Sequence, residues 1–313
     1  MSDVRLLDAD ERRVGHSPQD AAHDIARRLP GLIVAAKEVA SSVMHGVHGR
    51  RRAGIGETFW QFRPFVAGEP ATNVDWRRSA RDDRLYVRER EWEAAHTVWV
   101  WIDRSASMGF VSRLALQSKL DRALVIGLAA ADVLMRGGER VGLLGSTRPL
   151  AARNIIERFA ETMIAEERTS TFEAGELPPN APLQARAQLL WISDFLSDPA
   201  DIDDKIRRLS AMGARGHLAM IADPIEETFP FTGHTEFIDI DSPARLRVGR
   251  AEMFRDEYIL RLEAHRDAVR AAAVRRGWTL LLHRTDRPAS EALLALRMRL
   301  DAGSDPQLQK VLG

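Results

Sequence analysis

The chain contains no cysteine among its 313 residues. That absence removes disulfides, thiolate nucleophiles and thiolate metal ligands together, and it suits a reducing compartment. Neither sign of charge is in surplus: lysine plus arginine and aspartate plus glutamate both number 45. No whole-molecule field therefore steers the protein to nucleic acid or to an anionic membrane, and a charged partner must be met locally. No apolar run approaches the roughly 20 residues needed to span a bilayer. The longest, Ala123 to Met135, includes Asp132 and reads as a buried helix. The opening MSDVRLLDADERRVG is acidic and has no apolar centre, unlike a secretory signal, so a cytoplasmic location is expected. The strings G-x-S-x-G, G-x-x-x-x-G-K and H-E-x-x-H are also missing, so an enzyme is not the expected class.

What is present sorts into three stretches, taken as 1–53, 54–95 and 96–313. Leu29, Leu32, Ile33, Ala36, Val39, Ala40 and Val43 recur at helical spacing, which predicts a helical lead-in interrupted at Pro30-Gly31. HGVHGRRRAGIG then reads as a linker, with Arg50, Arg51 and Arg52 a solvated charge run. TFWQFRPFV and RLYVREREW flank a turn at 67–70 and predict a small β subdomain.

From His96 onward strand-like and helix-like segments alternate. TVWVWID and QLLWISDF are apolar throughout and end in an acid, as expected of parallel strands covered on both faces. A long helix is expected from about Leu114 to Met135, and further helices over 153–166, 201–212, 252–276 and 289–300. RVGLLG, GHLAMIAD, TEFIDID and WTLLLH supply the other strands. The pattern predicts an α/β fold with an open, mostly parallel sheet wrapped by helices on both faces.

In such sheets ligands bind beyond the carboxyl ends of the strands. Asp103, Ser105 and Ser107 occupy alternate positions of a strand-to-helix turn, and Asp194 ends a second central strand. A carboxylate, two hydroxyls, a second carboxylate and waters match the roughly six oxygen ligands that magnesium takes at about 2.0–2.1 Å. Hard oxygen ligands favour Mg²⁺, Mn²⁺ or Ca²⁺ over zinc. A coordination position left open would let a partner's carboxylate complete the shell. The competing view of the same string is a helix N-cap, since Asp and Ser cap well.

DRSASM resembles the D-x-S-x-S signature of the metal-ion-dependent adhesion site in von Willebrand factor type A domains, and Asp194 in WISDF resembles that family's later acidic loop. The piece GIGETFWQFRPFVAGEPATNVDWRRSARDDRLYVRERE is similar to the signature of bacterial domain of unknown function 58 proteins. The resemblance implies a von Willebrand factor type A-like sheet, a metal, and a functional link to MoxR-type AAA+ ATPases in assembly or maturation of other proteins. It also implies a threonine ligand from a middle loop. Here ERTSTFEAG offers Thr169 or Thr171 without the usual preceding glycine, and Thr171 is preferred. A metal-dependent hydrolase at the same cluster, or a scaffold with an empty site, are the alternatives.

Two other features invite a role. Asp75, Trp76, Arg77, Arg78 and Arg81 read either as an internal scaffold in which Trp76 packs or as a docking surface. His45 and His48 sit three apart without an evident third ligand and read as surface histidines. Arg104, between the candidate ligands, is expected to point away from them.

Overall fold

A computed structural model describes residues 18–46, 59–66, 72, 74–81, 84–90, 96–169, 174–184, 186–238 and 245–304. Arg50 to Arg52, His48, and the turn expected at 67–70 lie outside them.

Five strands make one parallel sheet in the order β4-β3-β5-β6-β9. They are β3 (Thr97–Ile102), β4 (Arg140–Leu143), β5 (Gln188–Ser193), β6 (Arg215–Ala222) and β9 (Thr279–Arg284). Because successive side chains on a strand face opposite ways, the apolar runs feed two cores. Val100, Ile102, Leu190, Ile192, Ala219 and Ile221 enter one, and Trp99, Leu189, Trp191, Leu218 and Met220 enter the other.

The first core is closed by α1 (Pro18–Gly46), α3 (Lys119–Arg136), α4 (Ile155–Glu167) and α8 (Ala289–Ser304). The second is closed by α5 (Pro199–Ala211) and α7 (Arg255–Val274). The expected α/β architecture with helices on both faces is therefore present. Each fully covered Leu, Ile or Val contributes roughly 1.5–3 kcal/mol of transfer free energy, so the paired cores dominate the fold's stability.

Three local expectations need correcting. α1 runs unbroken through Pro30. Proline removes one helical hydrogen bond and crowds the preceding turn, yet Leu29, Leu32, Ala36, Ala40 and Val43 are buried in the first core and offset that cost by packing. α1 thus shares the core of the main sheet, and it is tied down by ion pairs from Arg28 to Asp121 of α3 and from Lys37 to Glu157 of α4. Second, the long helix begins at Lys119, not near Leu114. The Ser118 side chain caps it by accepting from Asp121 N, while Leu114 and Leu116 upstream are exposed. Third, the strand in TEFIDID, β7 (Thr235–Ile238), does not join the main sheet. It pairs antiparallel with β8 (Arg245–Val248) as a separate two-stranded ribbon.

Upstream of the main sheet, β1 (Phe59–Pro64) pairs antiparallel with β2 (Tyr86–Arg90). Between them a single turn, α2 (Trp76–Ser79), is capped by Asp75, whose carboxylate accepts from Arg78 N.

Glycine is required where helix or ring lies against strand. A Cβ on Gly216 would stand 1.8 Å from the Trp278 ring, and one on Gly127 would stand 2.6 Å from Ile102. Trp278 is 2 % exposed and cannot withdraw into solvent. Gly216→Ala is expected to cost about 3 kcal/mol through overpacking, read as a lowered denaturant midpoint; an unchanged midpoint would show that Trp278 can be displaced cheaply.

Candidate metal centre

The parallel pairing of β3 with β5 sets Ile102 opposite Ile192, and Asp103 N continues the ladder by donating to Ile192 O at 2.8 Å. The chains leaving these two neighbouring strands therefore carry their acids to the same edge of the sheet. Asp103 is fully buried and Asp194 is 6 % exposed.

The Asp103 carboxylate is gripped from both sides. Oδ1 accepts from Ser105 N at 2.8 Å, and Oδ2 accepts from Ser193 Oγ at 2.7 Å. Ser105 starts a short 3₁₀ turn over Ala106–Gly109 but makes no side-chain cap to it. Its hydroxyl instead lies 3.2 Å from Ser107 Oγ. The helix-cap reading of DRSASM thus does not account for Ser105, and the Asp103, Ser105 and Ser107 side-chain oxygens form one polar group. Arg104 points away, as expected, to Glu166 at 2.5 Å and the carbonyl of Met163 at 3.4 Å on α4.

Asp194 is presented by a strained turn. Phe195 adopts a left-handed φ of 54°, unusual for an aromatic residue. The turn is fixed by Phe195 N donating to Ser193 Oγ at 3.0 Å and by His265 Nε2 donating to Phe195 O at 2.6 Å. Asp194 Oδ1 accepts from Leu196 N at 3.2 Å.

Three participants were not singled out from the sequence. Lys119, 1 % exposed, donates to Asp194 Oδ2 at 2.8 Å and to Glu226 Oε1 at 2.7 Å. Burial would lower its pKa, but the Glu226 and Asp194 carboxylates together outweigh burial and hold it above the ordinary lysine value. Glu226 belongs to α6 (Pro224–Thr228), where it completes a reciprocal capping box with Asp223. The D-P-I-E string after the third apolar-then-acid strand was the available signal. Ser193, the third, had no signal beyond its place before Asp194.

The two acids differ in compensation. Asp194 has an ammonium, whereas the contacts to Asp103 come from an amide and the Ser105 and Ser193 hydroxyls, with no ion pair to it among the described residues. Burial pushes the Asp103 carboxyl up to about 6, against the hydrogen bonds from Ser105 and Ser193 and with the help of the neighbouring Asp194 charge. Among the described residues no three His, Cys, Asp or Glu side chains gather as a metal group; the oxygen set here is one acid with two serines. Thr171 lies outside the described residues. Thr169 spends its hydroxyl on Ala165 O at 3.0 Å.

Two surface hollows, of about 440 and 540 Å³, are lined by Asn180 to Pro182 with Arg207, Arg208, Ala211 and Met212, and by His234, Gly249 and Arg250 with Met253, Phe254 and Glu257. Neither contains any of these acids.

Fold and site together define an α/β protein with an acid- and hydroxyl-lined cluster at the carboxyl edge of a parallel sheet. The chain belongs to the family described as "Protein of unknown function DUF58", which matches residues 61–268. It is similar to the uncharacterized proteins Rv1480 of Mycobacterium tuberculosis (strain H37Rv) and Mb1516 of Mycobacterium bovis, each 27% identical over 293 residues that cover 88% of this chain and 90% of the relative. No helix among the described residues is long and apolar enough to cross a membrane.

An acid whose pKa is raised on folding disfavours the folded state when ionised. That penalty is present above pH 6, fades as pH falls through about 6, and is gone near the ordinary value of 3.8. In EDTA at pH 7.5, Asp103→Asn is therefore expected to stabilise the protein by about 1–3 kcal/mol, a gain that disappears by about pH 4. Urea unfolding at both pH values checks it, and destabilisation at pH 7.5 would contradict an uncompensated charge at Asp103.

Proposed function

We propose that this chain is a metal-dependent protein-interaction module of the von Willebrand factor type A kind, in which Asp103, Ser105 and Ser107 hold Mg²⁺, Mn²⁺ or Ca²⁺. The observation that carries the reading is the buried Asp103 carboxylate, which has two hydroxyls beside it and no cationic partner among the described residues. A buried charge of this kind calls for a counter-charge, and hard oxygens favour a hard divalent ion. The resemblance adds Asp194 and the middle-loop Thr171 as further candidates, of which Asp194 is already paired with Lys119. The metal would supply a Lewis-acidic point to which a partner's carboxylate binds.

An interaction role is favoured over hydrolysis because the neighbouring acids are already committed. Asp194 is paired with Lys119, and Asp223 accepts from Ser112 N and Ile225 N. A general base must be free to take a proton from the reacting water. The proposed partner is a MoxR-type AAA+ ATPase acting in assembly or maturation of other proteins, as the family likeness implies. Trp76, 62 % exposed beside exposed Arg77, supports the docking-surface reading of that cluster, since exposed Trp and Arg are the residue types that anchor interfaces. Arg78 instead stacks 5.1 Å from the Tyr86 ring.

Ligand that binds only the folded state raises the melting temperature. Millimolar MgCl₂ is expected to raise it for the parent protein and not for Ser105→Ala/Ser107→Ala. Co-precipitation with a purified MoxR-type ATPase is expected to be lost in EDTA and in Asp103→Ala alike; binding that survives both treatments overturns the metal-dependent mechanism.

A further inference from the structure

Lys119 is the buried charge to which the metal reading assigns no role. It is the first residue of α3, where the helix dipole favours anions and disfavours a cation. Its presence there has to be repaid by side-chain pairing, and Asp194 and Glu226 provide that at 2.8 and 2.7 Å. Neither partner is free to swing. Asp194 is held by Leu196 N, and Glu226 by Asp223 N at 2.8 Å. The lysine is itself anchored through its amide to Phe110 O at 3.1 Å.

We propose that Lys119 is an internal counter-cation that withholds Asp194 from the metal, so that the ion is held by the Asp103 arm and keeps surplus positive charge for an anionic partner group. This rests on the metal-dependent reading above and adds how the site divides its charge. A divalent ion beside one ionised carboxylate retains a net charge of about +1, whereas a second free carboxylate would cancel it. The same lysine thus weakens the hold on the ion and strengthens the pull on a partner's carboxylate. Lys119 is a positioning residue in this scheme; it acts through Asp194 and does not touch the ion.

The test is Mn²⁺ binding to the full chain, read from the electron paramagnetic resonance signal of the free ion. Lys119→Met is expected to bind Mn²⁺ at least about tenfold more tightly than the parent, because Asp194 is released to the shell. The double variant Lys119→Met/Asp194→Asn removes both charges of the pair and is expected to stay within about threefold of the parent. If Lys119→Met leaves two buried acids unpaired and fails to fold by circular dichroism, the double variant decides alone. Affinity in Lys119→Met equal to or below the parent's overturns the proposal and leaves the metal reading standing. Loss of more than about tenfold in the double variant makes Asp194 a direct ligand and likewise overturns it. If neither the parent nor any variant binds Mn²⁺, the metal-dependent reading falls, and this inference falls with it.

Discussion

Two acids held side by side in a dry setting is the constraint from which the rest of the site follows. The β3–β5 ladder fixes Ile102 against Ile192, so Asp103 and Asp194 leave the sheet at the same edge, both buried, with the Asp194 charge felt at Asp103. Like charges in low dielectric cannot both stay bare. The protein neutralises one of them with Lys119 and surrounds the other only with an amide and hydroxyls. That asymmetry is costly for folding, and costs of this kind are kept where a function uses them.

The supporting structure serves this arrangement at some distance. The left-handed Phe195 turn presents Asp194, His265 from α7 locks that turn, and the capping box of α6 orients Glu226 toward Lys119. Elements on both faces and from the ends of three adjacent strands, β3, β5 and β6, thus converge on one edge. On the opposite flank Arg104 draws the β3 loop to α4 through Glu166, which turns its charge away from Asp103.

Much of the fold could be read from the chain because fully covered strands are short, unbroken and apolar. TVWVWI and QLLWIS are such strands, and the acids that follow them mark the edge where ligands gather. The start of α3 misled because Leu114 and Leu116 look like core residues yet lie in exposed turns, while the true cap, Ser118, was followed by a lysine that pattern reading assigns to the surface. β7 misled for a related reason: four residues of strand can pair in a ribbon as readily as in the main sheet. α1 overrode its proline through a packed face that local propensity does not see. At the site, Asp103, Ser105, Ser107 and Asp194 were visible as neighbours on two strand ends. The Lys119 bridge was not, since its partners stand 75 and 107 positions away and only tertiary structure makes its burial tolerable.

The proposed metal site requires that a divalent cation relieve the buried Asp103 carboxylate. Titration of its carboxyl carbon by NMR, once in EDTA and once in saturating Mg²⁺, addresses this directly. The expected result is a midpoint of about 6 without metal, falling well below that value when Mg²⁺ is present. Identical titration curves in the two conditions would contradict it.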